Sequence, residues 1–354
     1  TGLKNGAKID FFNIGNVGWQ GVNGLVEYGQ GGDLTAVVQF GLSNQSFQRE
    51  DLFDQPQNPV SDTKNVGGGY FKGGANLNLN EKSNVFFNAG LISRQPQFGA
   101  VFPSFGNSIS EDLQNEEITS VEFGYGYTSS KLDLNVNVYS TSWGNRFVTR
   151  SLSNQQGLDG TAQFKNVDVQ HNGFELEGKY RASNNLTFRG MLSIGDWEYT
   201  KDFEAELFDE NQNSIGTGTL YTKGAKVGDA AQFTSYAEVD YRFGKFNVDL
   251  GYRFVDGLYA DYSITDSQFT EQNNAGALKL PSYGLLDLGV TYQIGQGLSF
   301  RTNINNLLDT EYIAESNSNI HATSGSTTWN GVDVNNSVWF GFGTTWNASL
   351  KYRF

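Results

Sequence analysis

His171 and His321 are the only histidines in the chain, and they stand 150 residues apart. No cysteine is present, which excludes disulfides and thiolate metal centres. Hard oxygen ligands exist in Glu50, Asp51, Asp54 and Asp62, but they lack the Asp-x-Asp-x-Asp-Gly register of a calcium loop. They read as a solvated acidic surface, and no metal is assigned. An enzyme would depend on His171 or His321 finding an Asp or Ser neighbour; no catalytic residue and no cofactor is assigned. The glycine-rich "GGGYFKGGA" at 67–75 opens no helix, so it is no phosphate loop, and its glycines fit a bending strand. What remains is non-covalent chemistry. Phe98, Phe102 and Phe105 fall in one long polar segment and Trp329 in another, while Trp143, Arg146 and Arg150, and Tyr259, Asp261 and Tyr262, fall near the ends of two apolar-polar segments. Rings that stack and charges that orient are what a small-molecule binding mouth needs. The same rings could instead pack loops together or form an interfacial girdle.

These residues are spaced by a repeating element. In "TTWNASLKYRF" at 344–354, Trp346, Ala348, Leu350, Tyr352 and Phe354 share one face of an extended chain, and Thr345, Asn347, Ser349, Lys351 and Arg353 share the other. Thirteen such alternating segments recur, centred on 18–28, 34–49, 68–79, 84–95, 117–128, 132–150, 163–180, 186–200, 230–243, 246–261, 281–294, 298–313 and 338–354. Short turns such as "NEKS", "SSK", "SNN" and "GK" alternate with long loops at about 50–67, 96–116, 151–162, 201–229, 262–280 and 314–337. Hairpins with short turns at one rim and long loops at the other are the layout of a transmembrane antiparallel up-and-down β-barrel, with its apolar row toward lipid and its polar row toward a watery lumen. A soluble sandwich, whose greasy face would be a core, has no reason to segregate loop lengths this way. Tyr28, Tyr127, Tyr180, Phe243 and Tyr292 fall near the short turns and are expected to form an aromatic girdle there.

Composition agrees. Of 354 residues 38% are hydrophobic yet 14% are aromatic, and no apolar run approaches the roughly 20 residues of a membrane helix. The net charge of −14 and the lack of a basic stripe argue against a nucleic-acid partner. "TGLKNGAKID" shows no basic segment followed by an apolar one, so the leader is expected to have been removed or the chain to start within a longer protein.

"NINNLLDTEYI" at 303–313 resembles a motif of TonB-dependent outer-membrane receptors, Asn-Leu-(Leu/Phe)-(Asp/Asn)-x-x-Tyr, here Asn306, Leu307, Leu308, Asp309 and Tyr312. Those receptors also end on a strand of alternating aromatics, matched by Trp346, Leu350, Tyr352 and Phe354; in outer-membrane proteins that strand is read by the barrel-assembly machinery. The segments 34–51 and 172–199 are similar to hairpins of Bacteroidetes-type receptors. The resemblance implies an all-β protein, a barrel of about 22 strands in full, in the outer membrane of a Gram-negative bacterium. It implies active uptake of a scarce solute (siderophore, vitamin, haem, glycan or peptide), with lipid, the TonB complex, a small-molecule, chelate or glycan ligand and a surface lipoprotein as partners. The expected binding residues are Phe102, Phe105, Trp143, Arg146, Tyr259, Tyr262 and Trp329. No plug domain or TonB-contacting box is found in this sequence. The whole of 1–354 is therefore expected to be the C-terminal portion of the barrel, with 1–17 a loop tail and strands from 18 onward. The acidic loops make an anionic ferric chelate the less natural cargo. The alternative is a self-contained passive porin or fatty-acid-type channel of about fourteen strands.

Overall fold

The computed structural model describes residues 12–29, 31–53, 57–103, 106–110, 112–152, 160–209, 213–262, 267–272 and 274–354. Strands dominate: β1 (Asn13–Tyr28), β2 (Leu34–Asp51), β3 (Lys64–Asn80), β4 (Ser83–Arg94), β5 (Glu116–Thr128), β6 (Leu132–Leu152), β7 (Gly160–Arg181), β8 (Leu186–Tyr199), β9 (Phe203–Asp209), β10 (Ser214–Leu220), β11 (Phe233–Phe243), β12 (Phe246–Asp256), β13 (Tyr283–Gln293) and β14 (Leu298–Asn305). Four short strands follow, β15 (Ile313–Ser316), β16 (Thr328–Trp329), β17 (Val332–Asp333) and β18 (Val338–Phe340), before the last, β19 (Thr345–Tyr352). One antiparallel path, β1 through β8, then β11 to β14 and β19, contains thirteen strands, the number the alternation predicts. β9 and β10 extend β7 beyond the rim.

Register makes the two faces visible. On one side of β14 and β19, Leu298 pairs with Tyr352, Phe300 with Leu350, Thr302 with Ala348 and Ile304 with Trp346; on the other, Ser299 meets Lys351, Arg301 meets Ser349 and Asn303 meets Asn347. The apolar row continues through Val290, Val248, Tyr241 and Leu186, and on to Phe87, Phe123 and Val138. Most of these side chains are exposed in the isolated molecule, Phe123, Tyr241 and Trp346 among them, while Leu186, Val248, Val290 and Ile304 are half-buried. A row this long exposed to water would be an aggregation surface; hydrocarbon is the solvent that suits it. Along the short-turn rim, Phe243, Phe246 and Tyr292 form an aromatic chain with centroid spacings of 5.5 and 4.8 Å, and Tyr180 stacks on Phe188.

The polar face is not uniform. From β2 to β4 it is rich in amides: Asn84 donates to Asn76 (2.5 Å), which donates to Asn78 (3.1 Å). From β6 to β14 it is ionic. Arg301 donates two bonds to Asp249 (2.9 and 3.0 Å), Arg181 pairs with Asp133 (2.6 Å), and Arg189 pairs with Glu238. Fork-to-carboxylate pairing of this kind fixes side chains that would otherwise wander in the lumen.

Buried apolar residues gather at the long-loop rim, not between the strands. One cluster joins Phe164, Val167, Tyr199, Phe203, Leu220 and Tyr262; a second joins Leu258, Ala260, Leu280, Ile313 and Val332; a third joins Phe47, Val101 and Phe102. The loops are therefore small folded caps.

Three boundaries differ from the sequence pattern. β1 begins at Asn13, so residues 13–17, expected in a loop tail, are strand, and residues 1–11 lie outside the described residues. β14 stops at Asn305 and β19 starts at Thr345. The expected 298–313 and 338–354 strands are each interrupted, because Asn306 and Asp309 adopt left-handed backbone (φ 49° and 51°) that no ladder accommodates.

The two-faced wall predicts an asymmetry of substitution. Leu250→Arg, on the apolar row of β12, should cost about 2–4 kcal/mol near the bilayer midplane, lowering the urea midpoint of the membrane-inserted protein. Ser193→Arg, which points into the lumen opposite Glu175, should leave that midpoint within experimental error.

Candidate functional site: the lumenal wall and its loop-built mouth

Trp143 and Arg146 are brought together near the top of β6. Trp143 follows the lumenal face of β6, opposite Ile118. By simple alternation Arg146 would fall on the lipid row. It does not, because the register with β7 slips between Trp143 and Arg146, where Asn145 takes a left-handed conformation (φ 57°). A bulge of this kind re-aims the residue after it. Its backbone is held by Asn145 N–H donating to Asp168 Oδ1 (3.0 Å). Arg146 now reaches Glu116 (3.4 Å), which Arg94 also pairs (3.1 Å), and its guanidinium lies 5.8 Å from the Trp143 ring. Sequence reading found Trp143 and Arg146 but missed Glu116, Arg94 and the bulge; the "WGN" at 143–145 is the local trace of the last.

Arg150 and Tyr262 meet in a second group. Arg150 Nη2 is 2.8 Å from Asp261 Oδ2, and its guanidinium lies 5.5 Å from the Tyr262 ring. Tyr262 packs edge-on to Tyr199 at 5.2 Å and to Phe269 at 5.8 Å. Burial pushes the Asp261 carboxyl up from its ordinary value, against the pull of Arg150 and of the Tyr262 backbone N–H. Asp229 stands in the neighbouring loop. Although much of the residue is exposed, partial burial of its carboxyl, then the charges of Asp261 and Glu315, raise its pKa to about 6 against the pull of Arg150.

The remaining expected residues go elsewhere. Phe102 (3% exposed) is packed into the third loop cluster, against Phe98 at 5.0 Å. Trp329 packs on the second and meets Phe340 edge-on at 5.0 Å. Tyr259 bridges to Lys279, and Phe105 lies outside the described residues, as does Asp54. Phe102 and Tyr262 thus serve loop packing in this structure, while Trp143 and Arg146 sit at the mouth. His171 lies against Trp197 (centroids 5.4 Å), whereas His321 Nε2 is 3.1 Å from the Gly276 carbonyl. Among the described residues no three His, Cys, Asp or Glu side chains gather as a metal site.

The 306–312 motif is a turn that ties three strands. Asn306, 4% exposed, receives its backbone bond from Asp287 Oδ1, which accepts from Asn306 N–H at 2.9 Å. Its amide donates to the carbonyls of Thr310 (2.9 Å) and Phe342 (3.2 Å), and its Oδ1 accepts from Thr310 N–H (2.8 Å). Asp309 Oδ1 accepts from Thr344 N–H at 2.8 Å, and Tyr312 stacks on Tyr283 at 4.2 Å. Leu307 and Leu308 are left on the exposed side.

A two-faced antiparallel wall with an ionic lumen and a capped mouth is the wall of a transmembrane β-barrel. The chain belongs to the TonB-dependent receptor β-barrel family: the family model described as TonB dependent receptor-like, beta-barrel, matches residues 19–307. Members of that family are outer-membrane receptors of Gram-negative bacteria that bind ligands such as siderophores and interact with TonB. The chain is similar to the ferrioxamine B receptor of Salmonella typhimurium, 26% identical over 155 residues, 43% of this chain and 19% of that protein. In fold it is similar to the copper transporter OprC (TM-score 0.70, 16% identity, 96% of this chain and 48% of that one). It is also similar to the siderophore receptor PiuA from Acinetobacter baumannii (TM-score 0.69, 14% identity, 96% and 44%). The chain thus spans about half the length of these structures and about a fifth of the curated relative.

Two outcomes test the geometry. Asn306→Ala removes several buried hydrogen bonds at one turn and should cost about 1–3 kcal/mol, read as faster proteolysis of the 313–340 segment. Asn306→Gly, which tolerates the backbone but also lacks the amide, should be similarly sensitive. For Asp229, a carboxyl that is more basic in the folded cap than in the unfolded chain binds more protons when folded. Its effect on stability is absent below the ordinary 3.8 and grows as pH rises towards about 6. Above that the cap has lost the full contribution. Proteolysis of the cap should accelerate across that window, and Asp229→Asn should flatten the response.

Proposed function

We propose that this chain is the C-terminal portion of the barrel of a TonB-dependent receptor that actively takes up a scarce solute, with a siderophore chelate of iron as the cargo. The observation that carries this reading is the family match over most of the chain, joined to a mouth where Trp143 and Arg146 face the lumen beneath folded loops. A ring beside a guanidinium suits an organic chelate with a negative charge. Arg94 and Arg146 share the one carboxylate of Glu116, so this part of the mouth is less acidic than the net charge suggests, and local fields decide binding. The similarity to a ferrioxamine B receptor supports a siderophore as cargo but not its charge.

The remaining features of the reading follow from it. The full barrel would be of about 22 strands, with a plug through which TonB acts. Trp346, Leu350, Tyr352 and Phe354 would be the assembly signal, and a Bacteroidetes-type receptor with a surface lipoprotein is the fuller form of the proposal. A self-contained fourteen-strand channel would need β1 and β19 to meet. Among the described residues β1 pairs with β2 and β19 with β14, and no pairing joins the two.

The test is growth. The full-length coding sequence, expressed in an iron-limited host without its own siderophore receptors, should support growth on an anionic ferric-catecholate chelate only when TonB is present. Arg146→Ala should raise the chelate concentration needed by about tenfold, as expected for losing one charged contact. Uptake that persists without TonB would instead mark a passive channel.

A further inference from the structure

The slip that re-aims Arg146 is the first of two. Trp143 of β6 lies opposite Val169 of β7 and Arg146 opposite Val167, so Gly144 and Asn145 together face Asp168 alone. The count then reverses. Val148 lies opposite Phe164, so Phe147 alone stands against Lys165 and Asn166. The extra residue on β6 is cancelled by one on β7, and Thr149 with Gln163 and Arg150 with Ala162 resume the register of the wall below. Past both slips, alternate residues of each strand have exchanged faces. Val148 and Leu152, on the same side of β6 as Arg146, consequently pack with Ala162 and Phe164 in the first loop cluster.

A bulge disrupts the ladder locally, and an N–H it displaces needs another acceptor. Asp168, the one residue opposite the bulge, supplies it. Its Oδ1 accepts from Asn145 N–H (3.0 Å), its Oδ2 pairs with Lys201 Nζ (2.7 Å), and its carbonyl accepts from Thr200 N–H (3.2 Å). One residue thus joins the bulge to the segment that leads into the β9–β10 hairpin. The second fastening of the bulge is longer: Asn145 Nδ2 donates to the Asn115 carbonyl at 3.4 Å, next to the Glu116 that Arg146 pairs with.

We propose that Asp168 is the positioning residue for Arg146: its carboxylate holds the bulge that turns the guanidinium to the lumenal side. Without that acceptor the segment after Asn145 reverts towards plain alternation, which takes Arg146 away from Trp143 and Glu116. Asp168 works on the backbone of Asn145 and through it on the guanidinium. What Arg146 then does with a chelate rests on the uptake reading; its placement belongs to the barrel alone. The atom that matters is Oδ1. Asn at 168 keeps an oxygen there and Ala does not. The pair with Lys201 is partly exposed, with side chains 42% and 28% accessible, and pairs of that kind hold little.

Two readouts on the full-length protein in its outer membrane test the role. The first needs neither chelate nor TonB. This chain has no cysteine, so Glu116→Cys with Arg146→Cys gives it one pair of thiols, which a short bis-maleimide bridges while both face the lumen. Protein without the two substitutions is the baseline for thiols elsewhere. Bridging is expected in this pair, is expected to be lost on adding Asp168→Ala, and is expected to be kept on adding Asp168→Asn or Lys201→Gln. The second readout is the initial rate of iron uptake against the concentration of the anionic ferric-catecholate chelate. Asp168→Ala should raise the half-saturating concentration about tenfold, as for Arg146→Ala, at an unchanged maximal rate and with heat-modifiable migration intact; Asp168→Asn should restore it. The double variant Arg146→Ala, Asp168→Ala should be no weaker than Arg146→Ala alone, because two changes acting through one group do not add. Absence of bridging in the parent pair, bridging that survives Asp168→Ala, bridging lost with Asp168→Asn, effects that multiply in the double variant, or a lowered maximal rate at unchanged half-saturation would each overturn the role. Bridging as expected without any chelate uptake would instead remove the uptake reading and leave Asp168 in its place.

Discussion

In hydrocarbon a backbone N–H or C=O has no water to turn to, so each must find its partner within the chain. Between neighbouring strands the thirteen-strand ladder meets that demand, and most other features are consequences of it. Neighbouring strands are obliged to pair side by side, side chains are obliged to alternate, and the alternation then decides which groups meet lipid and which meet water. Pairs such as Ile304 with Trp346 and Asn303 with Asn347 are one residue apart on the same ladder, yet belong to different solvents.

Where a residue has to escape this alternation, the backbone must be altered. Asn145 is that alteration for Arg146: one left-handed residue moves a guanidinium from the lipid side to the lumen. Asn306 is a second case, ending a strand and spending its side chain on carbonyls and N–H groups that the ladder no longer covers. Both lie close to the long-loop rim, where the bilayer's demand for regular pairing lapses and side-chain hydrogen bonding can replace it. The apolar clusters at the same rim follow from the same change of solvent. Loops in water can gain by burying Phe164 or Phe47, whereas the strands below have their apolar rows already placed in lipid.

Much of this was legible because a period of two is a strong signal when it repeats. Strand number, the alternation of short turns and long loops, and the aromatic rim around Phe243 and Tyr292 came from pattern alone. The last barrel strand was read as too long because Phe340 and Phe342 keep the alternation going beyond the point where pairing starts at Thr345, and the one before it because the left-handed turn at Asn306 and Asp309 leaves no mark on the alternation. Trp143 and Arg146 were named from type and position, and the structure places them side by side. Their partner Glu116 was not, since it sits on another strand and nothing in a one-dimensional pattern pairs the two. Phe102 and Tyr262 had the composition of ligand contacts, but their burial depends on loop folds that involve distant segments.

The lumen is electrically one-sided. The bank from β2 to β4 is dressed in amides, whose dipoles can rotate to suit a visitor, while the bank from β6 to β14 carries full charges locked in pairs. A group lying against the first bank meets dipoles that can reorient, and one lying against the second meets charges already held by their partners. The two stretches of wall therefore differ in how far they can adapt to whatever they face.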